Sequence, residues 1–414
     1  MAQEQTVSQL RALAHELVEL SSTYQPSPPG AFGHDLPIIT KATELITTAQ
    51  QPLDHATIRL TQVVEAAVIR TLVDLKAIHA IPTLGSISLA DIASIASAQP
   101  SLLERLLRVV VSTGFLHQTE KGEYAHTHVS VGYTSGAGAF YSLLYDELVL
   151  PMVHIREYLS AKRPTHGLVE PSGEDSMTHN PVTWLARQEG KTAFEIMEQD
   201  PERLQAFQRV LGSVAHIKPF TGFYDFGRLA LSDDDEGEEI ARPVFVDIGG
   251  GHGHAIAEIL KAHPSIKPSQ CILQDRPAVI EQAQLNGSLP SGVQFMPHDY
   301  FTPQPIRHAR AYHLRAIAHD LSDANLVKVL RQIVPAMAPD SKVLIADEVL
   351  PERLQRGPGE GLVGLMDMMM FCIGGKERTE KNFRKVMKDA GLQVDAVWRA
   401  EGKGFGIVEA SLSV

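Results

Sequence analysis

The segment Val246-Asp247-Ile248-Gly249-Gly250-Gly251-His252-Gly253-His254 carries a short apolar strand directly into a glycine-rich turn. Glycine accepts left-handed backbone and lets a ligand approach the main chain closely, so glycines packed this densely mark a binding loop. A dinucleotide fingerprint needs glycines at the first, third and sixth positions. Counted from Gly249 the sixth position is His254, and counted from Gly251 it is Ile256, which weakens a pyrophosphate grip. No Gly-Lys-Ser/Thr sequence completes a P-loop.

Downstream of this loop, apolar strands alternate with helical patterns. Strands are expected over 244–248, 271–274, 293–296, 312–316 and 342–346, with helices over 254–262, 278–284 and 322–337. That alternation predicts an α/β, doubly wound parallel sheet covered by helices on both faces. A closing pair at 394–399 and 405–412, around Gly402-Lys403-Gly404, adds an antiparallel edge. In such a sheet a ligand binds beyond the carboxyl ends of the strands, at the switch in strand order. Asp275, in Leu273-Gln274-Asp275-Arg276-Pro277, follows the glycines by about 20 residues, where a carboxylate can accept both ribose hydroxyls. Asp299, in His298-Asp299-Tyr300-Phe301, closes the third strand and is placed to accept an adenine amino group, with Tyr300 or Phe301 over the ring. Taken singly, each Asp is as readily a loop cap. In this order they describe an adenosine pocket without a pyrophosphate grip, which suits S-adenosylmethionine (SAM).

Upstream, the first 160 or so residues read as mostly helical, with Val64, Val68, Leu72 and Leu75 on one helix face. A helix from 89, a second opened by Gln99-Pro100-Ser101-Leu102-Leu103-Glu104 with Ser101 and Glu104 in capping-box spacing and stopped at Gly114, and strands at 115–117 and 123–125 suggest a winged helix. The second helix offers only Arg105 and Arg108 beside Glu104, so packing or dimerisation is the favoured role over DNA reading. A net charge of −12 argues in the same direction, because nucleic-acid affinity rests on Lys and Arg contacts. The acidic run 233–239 reads as a solvated loop. Two cysteines, Cys271 and Cys372, make neither a disulfide framework nor a zinc set. With no signal peptide and no run of eighteen apolar residues, the expectation is a cytoplasmic chain with no membrane contact.

These motifs resemble the plant- and fungal-type small-molecule O-methyltransferases over nearly the whole chain, most specifically from Phe245 to Gly391. The resemblance implies a Rossmann-like SAM-dependent domain over 166–414 behind an N-terminal helical, winged-helix dimerisation domain over 1–165, and a homodimer. It implies cofactor contacts from Asp247, Gly249, Gly250, Gly251, Gly253, Asp275, Arg276, Asp299, Tyr300 and Arg315. The family's Leu-x-x-x-x-His-Asp-x-x-Asp segment stands here as Leu314 to Asp323, which makes His319 the catalytic base. Two assisting carboxylates map onto Glu348, in Ala346-Asp347-Glu348-Val349-Leu350-Pro351, and Glu377, in Gly374-Gly375-Lys376-Glu377-Arg378-Thr379-Glu380.

The implied chemistry is displacement at a sulfonium methyl, already activated by its positive sulfur and needing no metal. Histidine suits the base, because a pKa near 6.5 leaves it largely neutral at cellular pH yet able to take a phenolic proton. The two carboxylates would orient the imidazole and stabilise its charged form. Read alone, His319-Asp320-Leu321-Ser322-Asp323 is equally a helix start capped by Ser322. Met366 and Met370, in an adaptable methionine run, are expected to line the substrate together with Trp184 and Phe194. Leu321 and Ala318 stand where the family usually carries an aromatic and a bulky aliphatic, and His313 where it is commonly aromatic. The substrate expected is therefore a hydroxylated aromatic or polyketide-derived small molecule. The competing readings are a SAM-binding pericyclase or dehydratase of fungal secondary metabolism and, more remotely, a SAM-responsive DNA-binding regulator.

Overall fold

Leu72, Ile78, Ile92, Leu103, Leu107 and Val110 are shut off from solvent and tie the helices of the N-terminal region into one apolar core. The computed structural model describes residues 2–25, 37–214, 218–230, 242–353, 358–400 and 404–413. The chain forms two compact units, the first from residues 1–153, 200–214 and 356–362 and the second from the remainder.

In the first unit, helices Ala2–Ser22 and Pro37–Ala49 precede a long helix, Pro52–Asp74, whose C-terminal half buries Val68, Ile69 and Leu72. Val64, expected on the same packed face, is exposed. Helices Leu89–Ile95 and Pro100–Ser112 then lead into two antiparallel strands, β1 (Leu116–Gln118) and β2 (Tyr124–His126), the wing. The second of these helices opens within the expected segment, with Gln99 rather than Ser101 as its N-cap and Pro100 in the first turn, where a missing N–H costs nothing. The expected capping box is therefore not formed. Gly114, at φ +82°, ends the helix as expected. Arg108 is paired with Glu104 at 3.6 Å, so this helix presents mixed charge rather than a basic face.

The second unit is built on a sheet with strand order β5-β4-β3-β6-β7-β10-β9. Its strands are β3 (Phe245–Ile248), β4 (Cys271–Asp275), β5 (Gln294–Pro297), β6 (Ala311–Arg315), β7 (Lys342–Leu350), the two-residue β8 (Arg378–Thr379) beside β7, β9 (Leu392–Arg399) and β10 (Phe405–Leu412). β3 to β7 run parallel, and β10 is antiparallel to both β7 and β9. Two apolar layers clothe the sheet. Val246, Ile248, Tyr312, Leu314, Val343 and Ile345 face one layer; Phe245, Ala311, Leu344 and Ala346 face the other. The chain leaves β3 toward β4 and β5 and returns to β6 on the opposite side of β3, so the carboxyl ends of β3 and β6 flank the switch in strand order. The 233–239 run, and residues 402 and 403 of the closing turn, lie outside the described residues. Among the described residues, no helix is long and apolar enough to cross a membrane.

Candidate active site

The glycine loop is drawn over the end of β4 by main-chain hydrogen bonds. Gly249 and Gly250 both donate their N–H to the Gln274 carbonyl, at 2.8 and 3.2 Å, and Gly251 donates to Asp275 Oδ2 at 2.9 Å. Gly251 sits at φ +58°, in the left-handed region that aims its N–H at Asp275. Gly250 is required for space: a Cβ there would lie 2.5 Å from both Asp247 Oδ2 and Leu273 Cδ1. Asp275 also accepts from the Arg276 N–H. Burial raises the pKa of Asp275 against those two donors, and the partly exposed carboxylate keeps lone pairs for ribose hydroxyls.

Asp247 is placed differently from the expectation. Its side chain is fully buried beneath the loop, with Oδ1 2.7 Å from Nδ1 of the equally buried His313 and Oδ2 without a hydrogen-bond partner. It supports the loop from below. Arg276 pairs with Glu198 at 2.8 Å, both side chains being exposed. Asp299 caps its own turn, accepting from the Phe301 N–H at 2.9 Å, while remaining exposed; the rings of Tyr300 and Phe301 lie 5.0 Å apart beside it. Arg315, expected near the adenine, donates to the carbonyls of Lys218 and Pro219 and lies between the rings of Phe220 and Phe405, 4.1 and 4.6 Å from their centroids. Burial pushes its pKa down to about 10. The loop, Asp275 and Asp299 fit a neutral adenosine; the basic residues are engaged elsewhere.

Beyond β6, the chain makes a single 3-10 turn, Ala318–Asp320, that carries His319. Its main-chain N–H donates to Asp347 Oδ2 and its carbonyl accepts from the Lys376 N–H. The imidazole Nδ1 lies 3.0 Å from Asp347 Oδ1 and 3.1 Å from Glu377 Oε1, and Nε2 lies 3.6 Å from Asp320 Oδ1. Carboxylates only accept, so these partners assign a proton to Nδ1 and leave Nε2 as the basic nitrogen.

This arrangement corrects one assisting acid: Asp347, not Glu348, touches His319. Along β7 the side chains alternate, and Asp347 shares the face of Val343, Ile345 and Val349, the layer that also holds Ala318 and Leu321. Glu348 points to the opposite face, 3.7 Å from Lys218 Nζ.

Burial alone would lower the His319 pKa; Asp347, Glu377 and Asp320 together outweigh it and hold the group well above 6.5. Burial would likewise raise Asp347, and the adjacent imidazolium holds it below the usual carboxylate range. Asp320, more loosely held, is pushed up to about 6, chiefly by burial. The three carboxylates thus favour the charged imidazole more than the sequence alone suggested. Ligand atoms of His319, Asp347 and Glu377 fall within 4.8 Å of one another, close enough for a metal ion, yet Nδ1 is already hydrogen-bonded by both acids. The trio reads as a proton-handling group.

Of the expected substrate residues, Met370 is buried, Met366 is half-buried, and Trp184 is half-buried with its ring edge-on to Tyr158. Phe194 is half-buried on helix Ala193–Met197. Between the two methionines, Asp367 accepts the Glu377 N–H at 3.1 Å, so the methionine helix braces the acid. The sequence reading missed Asp347, His313 and the Gln274 carbonyl; strand alternation was the available signal for Asp347.

Residues 175–393 match the O-methyltransferase domain family and residues 59–136 the O-methyltransferase dimerisation domain. The chain is 33% identical to methyltransferase pynC of Aspergillus niger, over 84% of this chain and 93% of that one. It is 32% identical to the 6-hydroxytryprostatin B O-methyltransferase of Aspergillus fumigatus, over 80% and 92%. Among solved structures, OxaC with SAH and oxaline superposes with a TM-score of 0.82 at 24% identity, covering 99% of this chain and 100% of that one. A structure described as a pericyclic reaction enzyme gives 0.76 at 25% identity, covering 98% and 100%.

Proposed function

The chain belongs to the O-methyltransferase family, and from that premise we propose that His319 is the general base for methylating a hydroxyl of a small aromatic or polyketide-derived natural product. SAM is the cofactor, and the glycine loop with Asp275 and Asp299 holds its adenosine end. When bound, SAM supplies the electrophilic methyl on a positively charged sulfur, and that charge disfavours a second proton on a nearby imidazole. The expected division at about residue 165, and a homodimer through the N-terminal unit, belong to the same reading.

The observation that carries it is the placement of Nδ1 between Asp347 and Glu377, which fixes the ring and leaves Nε2 to act. His319 Nε2 takes the substrate hydroxyl proton; the two acids stabilise the imidazolium so formed without taking its proton. Water is kept from the acids by burial: Asp347 and Glu377 have 1% of their side chains exposed. This base catalysis is worth about two to four powers of ten, and alignment supplies much of the rest. The relative named for 6-hydroxytryprostatin B supports a hydroxylated natural product as the substrate class.

Substituting His319→Ala is expected to leave SAM affinity near wild type, by calorimetry, and to cut kcat at least a hundredfold. An alanine variant with normal turnover would overturn the assignment. The pericyclic neighbour favours one other reading, in which bound SAM acts by charge alone. Methyl-labelled SAM with candidate phenols decides it: label in the product together with S-adenosylhomocysteine supports methylation, and isomerised product without either overturns it.

A further inference from the structure

Arg378, which directly follows Glu377, is shut off from solvent at 0% exposure. All three of its guanidinium nitrogens donate hydrogen bonds. Nε donates to Asp323 Oδ1 at 2.9 Å, Nη1 to the carbonyls of Ala318 and Lys376 at 2.6 and 3.0 Å, and Nη2 to the Leu321 carbonyl at 2.7 Å. These acceptors bracket His319 on both sides and end on the residue before Glu377. The two strips are also zipped by the main chain: Lys376 N–H donates to the His319 carbonyl, and Gly375 lies so close that a Cβ would stand 2.2 Å from that oxygen.

A buried guanidinium that served only to satisfy loose carbonyls would stabilise the fold and nothing more. Here three of the four acceptors, the carbonyls of Ala318, Leu321 and Lys376, belong to the two loops whose relative register sets the imidazole between its acids, and the fourth, Asp323, opens the helix that follows the His319 turn. We propose that Arg378 is a positioning residue for methyl transfer, locking the His319 turn to the Glu377 loop so that Nδ1 stays between Asp347 and Glu377. This rests on His319 being the base. Lysine keeps the charge at this site but cannot reproduce a planar fork that reaches four acceptors.

The groups facing the imidazole are Asp320 from its own turn, Asp347 from β7 and Glu377 from the loop; Lys218 and Tyr300 stand near Asp320, Glu348 lies beyond Lys218, and Asp367 lies behind Glu377. Loosening the two Nδ1 bonds removes support for the charged imidazole. The acid limb of the rate profile should then move down toward 6.5.

The test is Arg378→Lys in the full-length enzyme, with SAM affinity, thermal unfolding, kcat, KM and the pH–rate profile measured together. Expected are a SAM Kd within about twofold of wild type, kcat lowered by about tenfold or more, as misplacement of a catalytic group produces, and an acid limb shifted to lower pH. A folded, SAM-binding variant with wild-type kcat, or one whose activity falls with the limb unmoved, overturns the proposal. Should the lysine variant not fold, Asp323→Ala, which frees Nε from the partly exposed end of the clasp, is read in its place; a wild-type kcat and limb there also overturn it. An active His319→Ala variant would instead remove the base assignment itself, so the two failures are distinguishable.

Discussion

Asp347 and Glu348 are neighbours in sequence and opposites in the site. Asp347→Asn removes one of the three carboxylates around the imidazolium, and Glu348→Gln removes a partner of Lys218 across the sheet. The first is expected to lower kcat by about a hundredfold, with SAM affinity nearly unchanged, and the second by less than about threefold. The pH sign follows from the raised His319 pKa: a base works only when unprotonated, so wild-type turnover rises through a limb above 6.5, and Asp347→Asn moves that limb down. A stopped-time pH series on the three proteins checks both; equal loss in the two variants would refute the assignment of Asp347. The same His319 pKa has a stability consequence. A group raised on folding contributes stability present below about 6.5 and lost as pH climbs through the folded value. His319 and Glu377 were singled out by the family resemblance, and the structure brings the two side chains to 3.1 Å. Asp347 was legible from strand alternation alone, since Val343 and Ile345 fix which face of β7 the next odd residue takes. His313 was not, because its meaning depends on Asp247 in β3, sixty-six positions away.

At the scale of elements, the α/β pattern could be read because buried parallel strands are continuous apolar runs bounded by turn residues. The helix His254–Ala262 and strand Phe405–Leu412 match their expected limits, while the strand over 342–346 runs on to Leu350 and the helix over 322–337 finishes as a separate 3-10 turn, Val334–Ala336. These ends are set by pairing with β10 as far as Glu348 and with β8 at Val349 and Leu350, and by Pro335, rather than by local pattern. The loop between β3 and its helix is where an element meets the cofactor. Asp247 below it and Leu273 beside it leave no room for a side chain at Gly250, so Gly250→Ala must push the loop off the Gln274 carbonyl. SAM affinity is expected to fall at least about tenfold, roughly 1.4 kcal/mol, in a protein that still folds. Calorimetric titration with SAM measures it directly, and unchanged affinity would show that the loop does not hold the cofactor.

The whole molecule raises the question of what covers the first unit. The N-terminal half of helix Pro52–Asp74 exposes Leu53, Leu60, Val63 and Val64 at 78, 70, 59 and 53%, a cluster of apolar side chains that a solitary chain would leave in water. Periodicity placed Val64 on the apolar stripe of this helix, but the structure packs only the stripe's C-terminal half, Val68, Ile69 and Leu72. The match to the dimerisation domain begins at residue 59, inside this helix. In a two-fold dimer each substitution counts twice. Replacing Leu60 by lysine removes about 1.5 to 3 kcal/mol of burial per copy, so Leu60→Lys is expected to raise the dimer dissociation constant by about a hundredfold or more, at 1.4 kcal/mol for each factor of ten. Sedimentation velocity at micromolar concentration should show wild type as a dimer and the variant largely as a monomer. Because His319, Asp347, Glu377 and Arg378 all belong to the second unit, SAM titration of the monomeric variant also asks whether the cofactor site stands without the partner. A variant that stays dimeric would move the interface away from this helix face.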